Sequence, residues 1–420
     1  MLDGVMKNNS LVDVLQVEKI LADFPLLLAA GDSLRYLDNA ATTQKPNVVI
    51  DAIGDCYRHY NAPIHRGLYP LAEKASHHYE MARSTIAKFI GATDEHSEQL
   101  IFTRSTTESI NMVAQGWLRP RLKKGDQVWV TRMEHHANYL PWQALCNESG
   151  AQLKIIELKQ DGSLDLENCS GLYDATTKLI SITHVSNVLG VINPIKEICT
   201  KATEQGIAVM VDAAQSVGHI SVDVTELDCD FLAFSAHKMF GPTGIGALYA
   251  KANRLTEMEP LLLGGGMVDS VNEYDCTWMP YPAKFEAGSQ NLADALGFAA
   301  TVNWLDKIGM DAMHQHVTDL TQYALDTLLK ITSLEVYGPS DARLRSGIVS
   351  FNLLNVHPHD VGQVAGERGV AIRAGHHCCQ PLMQHLGVAA TARASFAPYN
   401  SHDDIDALVD AIHEAQSMFA

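Results

Sequence analysis

From about residue 98 onward, short apolar runs alternate with segments of helical period. Leu100-Ile101-Phe102, Val128-Trp129-Val130, Leu179-Ile180-Ser181-Ile182, Ile207 to Val211 and Phe231 to Phe234 each read as a buried strand. Strands separated by helical patterns predict an α/β domain with a largely parallel sheet. Ahead of it, Leu11, Leu15, Val17, Ile20 and Leu21 recur at near-helical spacing, and the pattern stops at Pro25. That predicts an amphipathic helix from Leu11 to Phe24, ending before proline as helices usually do. After about residue 300 the pattern changes to a long helix from Thr301, strands near Ile348 to Leu353 and Val370 to Ile372, and a final helix from His402. The final helix opens on Ser401-His402-Asp403-Asp404, a capping-box-like start, and carries Ile405, Leu408, Val409 and Ile412 on one face. The expected division is a helical segment over 1–30 packed with the small domain, a large domain over 31–299 and a smaller α+β domain over 300–420.

Charge narrows the range of partners. The 420 residues hold 49 acidic and 31 basic side chains, a formal charge of -18, which disfavours a polyanion binder and makes a nucleic-acid partner unexpected. At 46% hydrophobic and 19% charged residues the chain can bury sizeable cores. Its longest apolar stretch, Pro25 to Ala30, is far short of the roughly 18 residues of a spanning helix. The first twenty residues carry Asp3, Lys7, Asp13, Glu18 and Lys19 and no continuous apolar region, so the expectation is a cytoplasmic protein without a membrane partner. The eight cysteines have no C-x-x-C spacing and predict no disulfide framework; the adjacent Cys378 and Cys379 require a separate explanation.

Four constellations carry potential chemistry. Asp212 and Gln215 follow one predicted strand and Lys238 follows the next, so an acid and an amine share the rim where open parallel sheets bind ligands. Such a lysine can form a Schiff base with an aldehyde cofactor, and such an aspartate can keep a pyridine nitrogen protonated, the pyridoxal phosphate arrangement. Singly, each has a plainer reading, a solvated loop lysine and a helix cap. Second, Thr103-Arg104-Ser105-Thr106-Thr107-Glu108 begins a helix with capping-box spacing between Ser105 and Glu108, and its free N–H groups and hydroxyls suit a phosphate, with Ser235 and His237 close by. The glycines of Gly241 to Gly246 match neither nucleotide fingerprint and read as turn residues.

Third, Glu134-His135-His136-Ala137-Asn138 follows a strand and offers an imidazole to stack on a flat ring; a zinc reading is the rival, weakened because adjacent histidines rarely share one metal. Fourth, Arg373 to Pro381 places Cys378 and Cys379 among Arg373, His376 and His377, which favour a nucleophilic thiolate. The alternative is a buried structural pair, against which the polar neighbours argue.

Together these residues resemble the cysteine desulfurases of the SufS and CsdA type, within the class V aminotransferase group of fold-type I pyridoxal phosphate enzymes. The resemblance runs from about Tyr36 to the C-terminus. It rests on Tyr36-Leu37-Asp38-Asn39-Ala40-Ala41-Thr42-Thr43, His65-Arg66-Gly67, Thr106-Thr107-Glu108, the Glu134 to Asn138 run, Ser186-Asn187, Asp212-Ala213-Ala214-Gln215, Ser235-Ala236-His237-Lys238, Phe285-Glu286-Ala287-Gly288, Arg373 to Cys378 and Arg393-Ala394-Ser395.

The resemblance implies that Lys238 carries pyridoxal 5'-phosphate, that Asp212 pairs with its ring nitrogen, that Gln215 faces the ring hydroxyl and that His135 stacks on the ring. It implies a phosphate held by Thr106, Thr107, Ser235 and His237, completed by Ser289 from the second subunit of a homodimer. Asn187, Arg373 and Arg393 are implied to bind substrate, with the arginines clamping its carboxylate. Cys378 is implied to accept sulfur from L-cysteine, releasing L-alanine, and to pass it to an acceptor protein of SufE or CsdE type for iron–sulfur cluster assembly or a related pathway. Ser289 stands where the family commonly has threonine, Met267 follows Gly264-Gly265-Gly266 without an expected extra residue, and Cys379 replaces a usual alanine. A selenocysteine lyase and a non-catalytic sulfur-relay or scaffold protein remain the alternative functions; no metal is expected.

Overall fold

The computed structural model describes residues 15–419. A seven-stranded sheet lies at the centre of the large part, in the order Leu100–Thr103, Gly246–Ala250, Phe231–Ser235, Ala208–Asp212, Thr177–Thr183, Gln127–Thr131 and Gln152–Ile156. Gly246–Ala250 is antiparallel to both its neighbours, and the other pairs are parallel. The apolar runs are continuous because both faces are covered. Ile180, Val209, Val211, Leu232 and Phe234 enter one core cluster, while Leu179, Ala208, Met210, Phe231 and Ala233 enter another on the opposite face. This is the period of two that a pleated strand imposes.

A four-stranded antiparallel sheet of Leu334–Tyr337, Ile348–Leu353, Thr391–Ser395 and Arg373–Gly375 forms the C-terminal part. Helices Met310–Leu328, Pro358–Glu367 and His402–Phe419 supply the rest of its core, including Leu320, Val361, Leu408 and Ile412. The capping start of the last helix forms, with Ser401 N–H donating to Asp404 Oδ2 at 3.0 Å.

The helix expected from Thr301 instead begins at Leu292 and runs to Ile308, with the Asn291 side chain accepting from Asp294 N–H. Residue 300 therefore lies inside a helix that joins the two parts. At the N-terminus the structure has two short helices, Val17–Leu21 and Pro25–Ala30, so Pro25 opens a helix at a position where its missing N–H is harmless. The expected residues Leu11 and Asp13 lie outside the described residues. Phe24 packs against Phe240, Trp304 and Tyr399 at ring separations of 6.1, 5.4 and 4.6 Å, which seats this segment at the junction of both parts rather than on the small one alone. Among the described residues no helix is long and apolar enough to cross a membrane.

Candidate active site

Asp212 ends one parallel strand and Ser235 ends its neighbour, so the side chains that follow emerge on one rim. After Ser235 the chain makes a tight turn over Ala236–Lys238. That turn is pinned from the N-terminal loop: the His237 carbonyl accepts from Thr43 N–H and Thr42 Oγ1, each at 3.0 Å, and from Lys45 Nζ at 3.1 Å. The turn aims Lys238 into a cavity of about 320 Å³ that Asp212, Gln215, His135 and Cys378 also line. Burial pushes the Lys238 pKa below the ordinary lysine value, opposed by Asp212, and burial pushes Asp212 upward. An amine held nearer neutrality is the nucleophilic form that condenses with an aldehyde.

One corner of the cavity is rich in hydroxyls. Helix Thr106–Met112 starts with Ser105 Oγ accepting from Glu108 N–H at 3.4 Å. The Glu108 carboxylate returns to Arg104 N–H rather than to Ser105, a displaced form of the expected capping box. Thr106 N–H donates to Ser235 Oγ at 2.7 Å, and the two hydroxyls lie 2.7 Å apart. Gly246 makes this approach possible, since a Cβ there would sit 2.7 Å from the Phe234 carbonyl oxygen and 2.9 Å from Ser105 Cα. Thr107 and His237 complete the lining of the cavity at this corner.

His135 also lines the cavity, and its Nδ1 accepts from Ala137 N–H at 3.1 Å, which leaves the neutral ring's proton on Nε2. Burial, reinforced by Lys238, pulls its pKa down to about 3. Beneath it Glu134 is buried and accepts from Thr131 Oγ1 at 2.7 Å, Thr183 N–H at 2.9 Å and Asn138 Nδ2 at 2.6 Å. Burial pushes Glu134 up to about 8 despite those donors. The sequence reading gave Glu134 no role; the available signal was an acid placed between the apolar run Val128 to Val130 and a histidine pair. Among the described residues no group of three His, Cys, Asp or Glu side chains is arranged to hold a metal ion.

The loop after Arg373–Gly375 separates the two thiols. His377 and Cys378 have φ of 52° and 54°, consecutive left-handed residues that carry side chains and cost on the order of 1 kcal/mol each. Contacts from other elements hold that shape: Asn187 Nδ2 donates to the His377 carbonyl at 2.8 Å and His136 N–H to the Cys378 carbonyl at 2.7 Å. His377 Nε2 lies 2.9 Å from Thr391 Oγ1, and Cys378 N–H donates to His376 Nδ1 at 3.0 Å. Cys378 is consequently exposed in the cavity, while Cys379 is buried with its Sγ donating to the Glu134 carbonyl at 3.2 Å. The expectation that polar neighbours keep this pair from burial fails for Cys379, because its Sγ turns onto the Glu134 carbonyl and its neighbour His377 is itself buried against Thr391. Burial raises the Cys379 pKa far above the range in which a thiolate forms at neutral pH.

The two arginines are already engaged. Arg373 presents Nε and Nη2 to Asp38 Oδ2 at 3.1 and 2.9 Å, and Arg393 Nη2 donates to Asp38 Oδ1 at 3.2 Å. Arg393 Nη1 donates to the Asn187 carbonyl at 2.8 Å, and its buried Nε has no partner among the described residues. Asp38 stands in the Tyr36 to Thr43 motif, but sequence gave it no task because its partners are 335 and 355 positions away.

Ser289 does not line this cavity. It borders a larger one of about 1010 Å³ with Arg66, Gly265 and Gly266, next to Glu286, which is clamped by both Arg83 terminal nitrogens at 2.6 and 2.9 Å. The shortened glycine segment before Met267 belongs to this second region, with Gly288 N–H donating to the Gly265 carbonyl at 2.8 Å. Every other residue expected to meet cofactor or substrate lines the 320 Å³ cavity.

The cavity fits pyridoxal phosphate by its donor chemistry. An aspartate, an amine, a neutral imidazole and a group of hydroxyls surround it, and Gln215 Oε1 in its wall is buried without a partner among the described residues while Gln215 Nε2 is spent on the Ala40 carbonyl. An unpaired buried acceptor of this kind is expected where a polar ligand completes the bonding. Fold and site together define a fold-type I pyridoxal-phosphate-dependent enzyme.

The family model of the class V aminotransferases matches residues 35–408. A probable cysteine desulfurase of Halalkalibacterium halodurans is 48% identical over 389 residues, 93% of this chain and 95% of that protein. A cysteine desulfurase of Haloferax volcanii is 48% identical over 418 residues, 96% of this chain and 98% of that protein. The crystal structure of the cysteine desulfurase CsdA from Escherichia coli superposes with a TM-score of 0.89 at 37% identity, covering 97% of this chain and all of that one. The chain belongs to the class V aminotransferases, and within them to the cysteine desulfurases.

Proposed function

We propose that this chain converts L-cysteine to L-alanine and retains the sulfur as a persulfide on Cys378. The observation that carries the proposal is an exposed thiol on a braced, left-handed turn in the same cavity as Lys238 and Asp212. When bound, pyridoxal phosphate supplies an aldehyde that captures the substrate amine and a protonated ring that stores the electron pair left at Cα. Lys238 Nζ would hold the cofactor through its aldehyde carbon, and as a free amine it would take the substrate Cα proton. Asp212 would keep the ring nitrogen protonated, and Gln215 and His135 would be the residues that hold the ring. Thr106, Thr107, Ser235 and His237 would hold the phosphate.

Cys378 Sγ, as thiolate, attacks the substrate sulfur. The Cβ–S bond breaks, the S–S bond forms, Cβ takes a proton to become the alanine methyl, and Cα takes back the proton it gave up. The exposure of Cys378 supports onward delivery to a small acceptor protein of SufE or CsdE type, and the separation of Ser289 from its own chain's cavity supports a homodimer in which it serves the other site. We place the enzyme in the cytoplasm. A selenocysteine lyase has less need of an attacking thiol, because selenium leaves more readily, so Cys378 favours cysteine. The test is alanine release from L-cysteine by a yellow purified protein that borohydride bleaches; a colourless protein without turnover contradicts the proposal.

Asp212→Asn should cut turnover by about tenfold or more while cofactor still binds, because a neutral amide cannot keep the ring nitrogen protonated. Burial already disfavours the carboxylate, so the uncharged isostere suits the fold and the loss is confined to chemistry. Unchanged turnover in a cofactor-loaded variant removes Asp212 from this role. Arg393→Lys should mostly raise the Michaelis constant for cysteine, by a factor equivalent to about 1–3 kcal/mol, since charge remains but the planar fork is lost. Unaltered saturation by cysteine assigns Arg393 to the fold instead.

A further inference from the structure

Resting on the desulfurase reading, we propose that Asp38 is the positioning residue of the substrate-carboxylate clamp: it holds the two arginines together and leaves the pair one net positive charge. The arrangement is unusual in its charge count. Arg393 is buried, Arg373 lies beside it, and one carboxylate contacts both guanidinium groups. Two like charges at this separation repel, and the repulsion is strong where water is excluded. Asp38 offsets one of them and gives both arginines a fixed acceptor.

The geometry assigns different tasks to the arginines. Arg373 turns its Nε and Nη2 edge fully onto Asp38, while its side chain remains 47% exposed. Arg393 gives Asp38 only Nη2, gives Asn187 Nη1, and keeps a buried, unpartnered Nε in a side chain that lines the cavity. An unpaired buried donor of a cation is the group that gains most from an incoming carboxylate. Asp38 sets that donor's direction by fixing Nη2, as the Asn187 carbonyl does by fixing Nη1. Backbone bonds hold Asp38 itself: its carbonyl accepts from Ala41 N–H at 3.1 Å, and it forms an isolated bridge with Ser395, two residues after Arg393. The clamp is thus joined across the interface between the N-terminal loop and the small sheet.

Loss of the Asp38 charge should release Arg373 toward solvent and leave Arg393 without its fixed partner. The effect belongs to ligands that carry a carboxylate. Asp38→Asn should raise the Michaelis constant for L-cysteine by about tenfold or more, with kcat changed by less than about threefold. The inhibition constant of L-alanine should rise in parallel, while that of ethylamine, the same amine without the carboxylate, should stay unchanged. Asp38→Glu should recover part of the loss because the charge is restored.

Equal weakening of alanine and ethylamine, or an unchanged Michaelis constant in a cofactor-loaded Asp38→Asn enzyme, overturns the proposal. If the single variant does not fold, the Asp38→Asn/Arg373→Gln double variant restores the charge balance; its Michaelis constant should still exceed that of Arg373→Gln alone, because Arg393 loses the acceptor that fixes Nη2. A folded double variant with the same Michaelis constant as Arg373→Gln contradicts it. Wild-type protein that fails to release alanine from cysteine defeats the functional reading itself, whereas active wild type with an indifferent Asp38 defeats only this inference.

Discussion

Lys238→Ala should release no measurable alanine from L-cysteine. The substitution removes the only amine among the residues lining the cavity, and with it both the anchor for the cofactor and the group that takes the Cα proton. Its neighbours have no means to replace it. His135 is held far below its usual pKa with Nδ1 occupied by a backbone N–H, and His237 is likewise pulled down, to about 4, by burial. The amine of Lys45 is spent on the carbonyls of Thr43 and His237 behind the turn. Arginine at the same position should fare no better, since a guanidinium remains protonated at any pH the protein tolerates. Borohydride should fix the cofactor to the wild-type chain and not to the alanine variant. Normal alanine release by a folded Lys238→Ala protein would sink the assignment of the cavity.

The second large effect concerns the neighbouring thiols. Cys378→Ser should still bind cofactor and substrate, because neither event uses the thiol, yet should give almost no persulfide and almost no alanine from cysteine. A serine hydroxyl is a far poorer nucleophile toward sulfur and is not ionised near neutral pH. Cys379→Ala should remain substantially active. Its sulfur is buried against the Glu134 carbonyl and its pKa is raised by burial, so it has neither the exposure nor the thiolate needed to accept sulfur. What the alanine variant gives up is one weak S–H donor and a small volume in the core. Persulfide formed on Cys379 at the wild-type rate in the Cys378→Ser protein would overturn the assignment; slow formation there would mark the second thiol as a reserve acceptor.

Much of the large sheet was legible because its strands are buried on both faces. Runs such as Ile207 to Val211 send alternate side chains into two cores, and a continuous apolar string is the consequence. Gln152–Ile156 and Gly246–Ala250 escaped notice for opposite reasons. The first is an edge strand with polar side chains in its run, and the second, Gly-Ala-Leu-Tyr-Ala, has no β-branched residue to mark it. The helix from Leu292 was placed too late because its first turns bury Leu292, Ala293, Ala295 and Gly297 on several sides, which blurs the helical period.

At the site, the residues that line the cavity were legible from the ordered motifs. Those that brace them were not. Asp38 and Glu134 act through pairings that chain distance hides, and the burial of Cys379 depends on consecutive left-handed residues that no composition rule anticipates.

A single-turnover reaction offers the most direct test of the central claim. Cofactor-loaded enzyme mixed with L-cysteine in the absence of any acceptor or reductant, then alkylated and digested, should yield alanine and protein persulfide in equal amounts, with the persulfide on the peptide that contains His376 to Gln380 and localised to Cys378. Alanine formed without protein persulfide, or persulfide confined to another cysteine, would contradict the account.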